Sequence, residues 1–189
     1  MTSTPHRNRP PSHQQRVLAG IHAFIERYRP QPYGSATDAL ADTQRSFRVV
    51  RAHAKEWGVD PKRVGIMGFS AGGEQAGWVT LKFDKGHPQA SDPVERESCR
   101  PDFSVLVYAG WLRMDLSKVP KNAPTTFLTS AGIDDAFHAR QTVEFYDALF
   151  KAKVPVELHI YGHHPLLRDF RILSQRHAIV PSVSNLLVA

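Results

Sequence analysis

The stretch that decides the fold is Val64-Gly65-Ile66-Met67-Gly68-Phe69-Ser70-Ala71-Gly72-Gly73. An apolar run up to Met67 ends in Gly68-Phe69-Ser70-Ala71-Gly72, and a helix-compatible stretch, residues 74–83, follows at once. The order is strand, sharp turn, helix. In a G-x-S-x-G turn the Ser sits on a strained backbone, and the flanking glycines remove side chains that would clash as strand and helix converge. Its hydroxyl is then presented at the edge of the sheet as a nucleophile. The competing reading is an ordinary tight turn, since the five-residue pattern alone also arises by chance. The flanking strand and helix, with Gly73 extending the glycine pair, favour the nucleophile.

Working outward from Ser70, strands alternate with helices. Residues 1–15 hold Pro5, Pro10 and Pro11 without periodicity and read as a flexible arm. A buried strand is predicted within residues 17–28. A helix over residues 36–57 follows, N-capped by Thr37 or Ser35 and stopped by Gly58, with Leu40, Phe47, Val50, Ala54 and Trp57 at helical spacing. After the elbow, residues 84–102 form a polar connection. Strands are then predicted at 103–108, 125–130 and 156–161, with a helix over 137–152 before the last of them. The first of these is continuously apolar, as a parallel strand covered on both faces would be. Such alternation predicts a mostly parallel α/β sheet of about five strands with helices on both faces. Ligands bind at the carboxyl ends of strands in such sheets, which is where Ser70 stands. Residues 16–164 form this domain. Residues 165–189 are a divergent tail in which Leu166, Leu167, Phe170, Ile172 and Leu173 suit a short helix, and residues 183–189 carry no assigned role.

Composition bounds the function. The 189 residues suit one domain, and 41% hydrophobic with 22% charged residues is ordinary for a globular chain. The net charge of +6 is dispersed, with part of it at the ends, so it makes no nucleic-acid footprint. Cys99 is the single cysteine, which excludes an intrachain disulfide and a cysteine metal cage and reads as a buried or half-buried thiol. No stretch has the apolar length of a membrane helix, and residues 1–15 lack a signal peptide's apolar segment, so a cytoplasmic location is expected.

A serine hydroxyl needs a base, and the base an orienting acid. In a strand–elbow–helix hydrolase sheet the chain order is Ser, acid, His. The loop after the 125–130 strand, Ala131-Gly132-Ile133-Asp134-Asp135, lies at the correct end and offers Asp135 as the acid, then Asp134; the alternative role of either is an N-cap. His164 is the candidate base and His163 its alternative, both after the 156–161 strand. His159 lies in that strand and reads as structural, and His177 falls in the tail. Adjacent histidines can signal zinc, but no third ligand stands at metal spacing, so neither metal nor organic cofactor is expected. Ala71, at the helix N-terminus, offers one oxyanion N–H. No glycine-rich loop earlier in the chain supplies a second.

Several segments together resemble bacterial α/β-hydrolase esterases of the acetyl-xylan and carbohydrate-esterase type. They are residues 36–42, Trp57-Gly58-Val59-Asp60-Pro61, the elbow, Arg100-Pro101-Asp102-Phe103, the Gly132–Asp135 loop and residues 154–161. The resemblance implies a serine ester hydrolase working through an acyl-enzyme, with Ser70 as nucleophile and Asp135 as acid. It departs from the family at both ends. Three strands and an HGGG-type oxyanion loop that normally precede residues 20–28 have no counterpart, and Gly162-His163-His164-Pro165 replaces Gly-Gly-His-Gly. The chain resembles a truncated copy. One missing strand would lie between the 20–28 strand and the elbow strand, so those two should pair directly or leave an open edge, which makes a homodimer an expectation.

Three functions fit. The first is an esterase acting on a small ester of a short acyl or acetyl group, with Trp111 as the candidate to line the acyl pocket and a plain core or rim position as its alternative role. The second is a weak or inactive remnant acting as a binding or self-associating module. The third is an acyltransferase or thioesterase on the same triad.

Overall fold

The computed structural model describes residues 21–29, 34–110, 114–132 and 136–162, and the backbone of 184–188. The strands are β1 (Ala23–Arg27), β2 (Gly65–Phe69), β3 (Phe103–Val107), β4 (Thr125–Ala131), β5 (Val156–Tyr161) and β6 (Ser184–Val188). Between them lie helices α1 (Ala36–Ala52), α2 (Ala54–Trp57), α3 (Ala71–Leu81) and α4 (Ala136–Lys151). They form one sheet in the order β1-β6-β2-β3-β4-β5. The ladder from β2 to β5 is parallel, as alternation with helices requires. The arm, residues 1–15, lies outside the described residues.

Apolar positions settle why the helices sit where they do. Ile66, Leu106 and Leu128 occupy the same face of successive strands. They join Phe47 and Val50 of α1, Ala76 and Val79 of α3, and Phe145 and Leu149 of α4 in one core. On the opposite face Met67, Val105 and Phe127 are in register and only half-buried. The prediction that residues 103–108 are fully covered on both faces is therefore corrected: Ser104 and Leu106 are buried, whereas Phe103, Val105 and Val107 are half-buried.

α1 begins in a reciprocal cap, so Ser35 rather than Thr37 starts it. The Asp38 N–H donates to Ser35 Oγ at 3.2 Å, and the Ser35 N–H donates to Asp38 Oδ2 at 2.8 Å. The single helix read over residues 36–57 is broken at His53 (φ −100°, ψ 9°), and the short α2 ends at Gly58, whose φ of +68° suits glycine.

The Arg100-Pro101-Asp102 segment ties three elements together. Asp102 Oδ2 accepts the Val64 N–H at 2.9 Å and Arg51 Nη2 at 2.9 Å, and the Asp102 N–H donates to the Val64 carbonyl at 2.8 Å. Arg51, its side chain only 7% exposed, also donates to the carbonyls of Pro61 and Ser98. One carboxylate thus fixes α1, the entry to β2 and the entry to β3. Cys99 is fully buried, as read from sequence; it accepts the Asp84 N–H at 3.2 Å, and burial pushes its thiol up from the ordinary value.

The flank beside β2 departs from the sequence reading. β1 and β2 neither pair directly nor leave a gap, because β6 lies between them, antiparallel to both. The residues without an assigned role therefore supply a sixth strand. Its register places Leu186 opposite both Ile25 and Met67. β1 is consequently an edge strand and is not the buried strand expected. Glu26 is 4% exposed, whereas Ile25 is 66% exposed. Beyond β1, Arg29 grips α1 through Asp42, its Nε and Nη2 donating to the two carboxylate oxygens at 2.9 Å each.

Candidate active site

β2 stops where the backbone must reverse into α3, and glycine makes the reversal possible. A Cβ on Gly68 would lie 2.1 Å from the Gly72 carbonyl oxygen, inside any contact distance. A Cβ on Gly73 would lie 2.8 Å from Ala109 Cα, so α3 can approach the end of β3 only with glycine there. Between these two glycines Ser70 adopts φ 52°, ψ −121°, a conformation that costs an L-residue about 1–3 kcal/mol.

Backbone bonds hold that strained residue in place. The Ser70 N–H donates to the Val107 carbonyl at 3.1 Å, and the Ser70 carbonyl accepts the N–H groups of Gly110 at 2.9 Å and Glu74 at 3.0 Å. The Ser70 side chain is exposed and does not cap α3. A serine at this position usually turns its hydroxyl onto the helix N–H groups; here the hydroxyl is directed away from that role. Ala71 is the first residue of the eleven-residue α3. The N–H groups of a first helical turn lack intrahelical acceptors and carry the positive end of the helix dipole. A developing negative charge beside Ser70 would be stabilised there.

Two tyrosines with raised phenol values stand near the elbow. Tyr108, the residue after β3, has a positive φ of 31°, and its ring packs edge-on to Phe69 at 6.4 Å. Burial pushes its phenol above the ordinary value. Tyr28, at the end of β1, is pushed up further by burial and then by the negative charges of Glu26 and Glu74, so its hydroxyl stays protonated at any physiological pH. Glu74 stands in the first turn of α3, where the helix dipole favours a carboxylate.

Of the site residues read from sequence, Ser70 and Ala71 are described and stand at the elbow, Ser70 preceding the first residue of α3. Asp135, Asp134, His163, His164, His177 and Trp111 lie outside the described residues. Gly132 does accompany the end of β4, where its N–H donates to the Tyr161 carbonyl at 2.7 Å. His159 lies within β5, with Nε2 2.8 Å from Glu157 Oε1 and its ring 5.2 Å from Phe127. That is consistent with a structural role. The reading missed Ala109-Gly110. Gly110 anchors the Ser70 carbonyl and Ala109 meets Gly73; the signal was a small-residue pair directly after an apolar strand. Among the described residues no three His, Cys, Asp or Glu side chains group as metal ligands, and no helix is long and apolar enough to cross a membrane.

A parallel sheet whose central strand turns through a glycine-flanked, positive-φ serine into a helix defines the α/β-hydrolase class. The comparisons agree: a family model described as the α/β hydrolase fold matches residues 17–151, and the chain belongs to that family. It is 36% identical over 116 residues to an acetylxylan esterase of Xylanibacter ruminicola, a match covering 61% of this chain and 21% of the relative. An endo-1,4-beta-xylanase B of Butyrivibrio fibrisolvens is 26% identical over 180 residues, covering 78% of this chain and 28% of the relative. The chain thus spans a quarter or so of the curated relatives it matches. Among solved structures, an acetyl ester-xyloside bifunctional hydrolase from Caldicellulosiruptor lactoaceticus is 32% identical with a TM-score of 0.68, covering 79% of this chain and 67% of the other.

Proposed function

We propose that this chain is a carboxylic ester hydrolase in which Ser70 is the acyl-accepting nucleophile. The observation that carries the reading is the backbone of Ser70, held at positive φ by three hydrogen bonds with its side chain exposed and not spent on capping. Strain of this kind persists only where the surrounding structure over-determines it, and at an elbow it serves to present the hydroxyl.

In the proposed reaction Ser70 Oγ attacks the ester carbonyl while His164, or His163 in its place, takes the hydroxyl proton. Asp135 orients that imidazole and stabilises its charge. The carbonyl oxygen becomes an oxyanion facing the Ala71 N–H. Collapse of the tetrahedral species breaks the bond to the alcohol, which leaves with the proton returned by the histidine. Water then repeats the sequence on the acyl-Ser70 ester. Names of similar proteins favour acetyl groups on xylan-type sugars as the substrate class, with Trp111 lining the acyl pocket. Losing one of two oxyanion donors costs such a site roughly 10²- to 10³-fold in turnover, which is the scale of contribution expected of the Ala71 N–H.

Fluorophosphonate labelling tests the reading without a choice of substrate. Intact mass and peptide mapping should show one adduct, on Ser70. Ser70→Ala should abolish it, and one of His163→Ala and His164→Ala should nearly do so, which names the base. A folded protein that takes no label would refute the hydrolase and leave a hydrolase-fold module that binds or self-associates.

A further inference from the structure

We propose that β6 is an exchangeable strand, and that the slot between β1 and β2 accepts the β6 of a second copy of this chain. Three observations carry this. First, the slot is a complete strand position with two walls: all five residues of β6 pair with β1, and residues 185–188 also pair with β2. Ladder bonds run between backbone groups, so an incoming strand is recognised by register and by alternate side chains; this is the physics of strand addition.

Second, β6 is joined to β5 by residues 163–183, and the two strands stand at well-separated positions of the sheet. Crossing four strand spacings takes about 19 Å. The connecting residues, fully extended, reach about 70 Å. A connection several times longer than its own slot requires can serve the same slot in a neighbouring molecule.

Third, among the described residues β6 alone joins β1 to the parallel strands of the ladder. When β6 leaves, β1 and β2 each expose a row of unpaired N–H and C=O groups facing one another across one strand's width. An identical strand restores every bond it broke. That makes exchange a low-cost route to a dimer, since each copy ends with the contacts it began with. Tethering through a connection of this length gives the chain's own β6 an effective concentration of roughly millimolar, so the closed monomer dominates at micromolar protein and exchange emerges on concentration.

Cysteine pairing at the register tests this on the full chain. Ile25 is 66% exposed and opposite Leu186, and paired residues of an antiparallel ladder lie within disulfide reach. Chains carrying Ile25→Cys and chains carrying Leu186→Cys are mixed at high concentration, diluted, oxidised and read by non-reducing intact mass with peptide mapping. A mixed dimer joined through positions 25 and 186 is expected, growing with incubation time and concentration. The doubly substituted chain should close on itself and no longer enter mixed dimers. Three results would overturn the proposal: internal closure of the double variant with no mixed dimer, no closure of either kind, or mixed dimers no more abundant than those between Ile25→Cys and the off-register Lys85→Cys chain. Fluorophosphonate labelling reads Ser70 separately, so each idea can fail without the other.

Discussion

The elbow and the β1–β6 flank, on either side of β2, are built in opposite ways. At the elbow every contact is short-range or between neighbouring strands, and fit is enforced by backbone: Gly68 against Gly72, Gly73 against Ala109, Ser70 against Val107 and Gly110. At the flank, residues 23–27 meet residues 184–188, and β1 keeps one outer edge and the side chain of Ile25 in the open. The elbow tolerates no added atom. The flank depends on a strand that arrives from the other end of the sequence. The comparison teaches that the region proposed to carry the chemistry is locally specified, whereas the sheet is completed by pairing that sequence patterning hardly marks.

The sharpest break is Gly68→Ala. The added methyl has nowhere to go but into the Gly72 carbonyl, so the elbow must open. We expect a loss of at least about 3 kcal/mol, at the upper end of overpacking costs, and no labelling of Ser70 in whatever remains folded. Urea denaturation and the fluorophosphonate assay read the two effects. Asp102→Ala comes next, because it strands Arg51 and the Val64 N–H at once. Removing one partner of a largely buried pair costs about 3 kcal/mol. A urea midpoint unchanged in this variant would mean that the entry to β2 is held by packing alone.

Breaking the flank should leave the elbow standing. Leu187→Pro removes a backbone donor from β6 at the position paired with both Phe24 and Ile66. Hydrogen exchange should speed up across residues 23–27 by roughly tenfold or more, the equivalent of about one lost ladder bond, while residues 103–107 and 125–131 keep their protection. Equal loss in both regions would show that the flank and the parallel ladder are one cooperative unit. The smallest effect is electrostatic. The Arg29 guanidinium hydrogen-bonded to Asp42 holds that carboxyl below its ordinary value. Because the folded value is depressed, the stability it contributes is fully present above the unfolded carboxyl value of about 3.9 and disappears as pH falls through the folded value. The urea midpoint of Asp42→Asn should therefore sit slightly below that of the parent at pH 6 and converge with it towards pH 3.

The sequence was most legible where local rules act alone. Gly68 and Gly73 announced the elbow around Ser70 because only glycine fits there, and the apolar run at 103–107 announced a parallel strand because both faces of such a strand carry apolar residues. Ser35 was recognisable as a cap, though Thr37 competed until the reciprocal bond with Asp38 was seen. The break at His53 was not legible, since Val50, Ala54 and Trp57 keep helical spacing straight through it. β6 was invisible for a different reason. Ser184-Asn185-Leu186-Leu187-Val188 is a short apolar run with no helical or alternating period, and its meaning comes from a partner some 160 residues away, which no window of local pattern contains. The pairing of the loops at the elbow has the same character: Gly110 meets Ser70 only because β3 lies beside β2.

The separation of β1 from β6 also sets an order in time. At a synthesis rate of about 5–20 residues per second, roughly 10–30 s pass between the emergence of β1 and that of the strand which seats it. The parallel ladder, built from nearer neighbours, has the shorter loops to close and can form first. Throughout that interval β1 is a finished strand without a place, with both of its backbone edges available to β1 strands on adjacent chains of the same polysome. Among the described strands, the first one made is the last to be positioned.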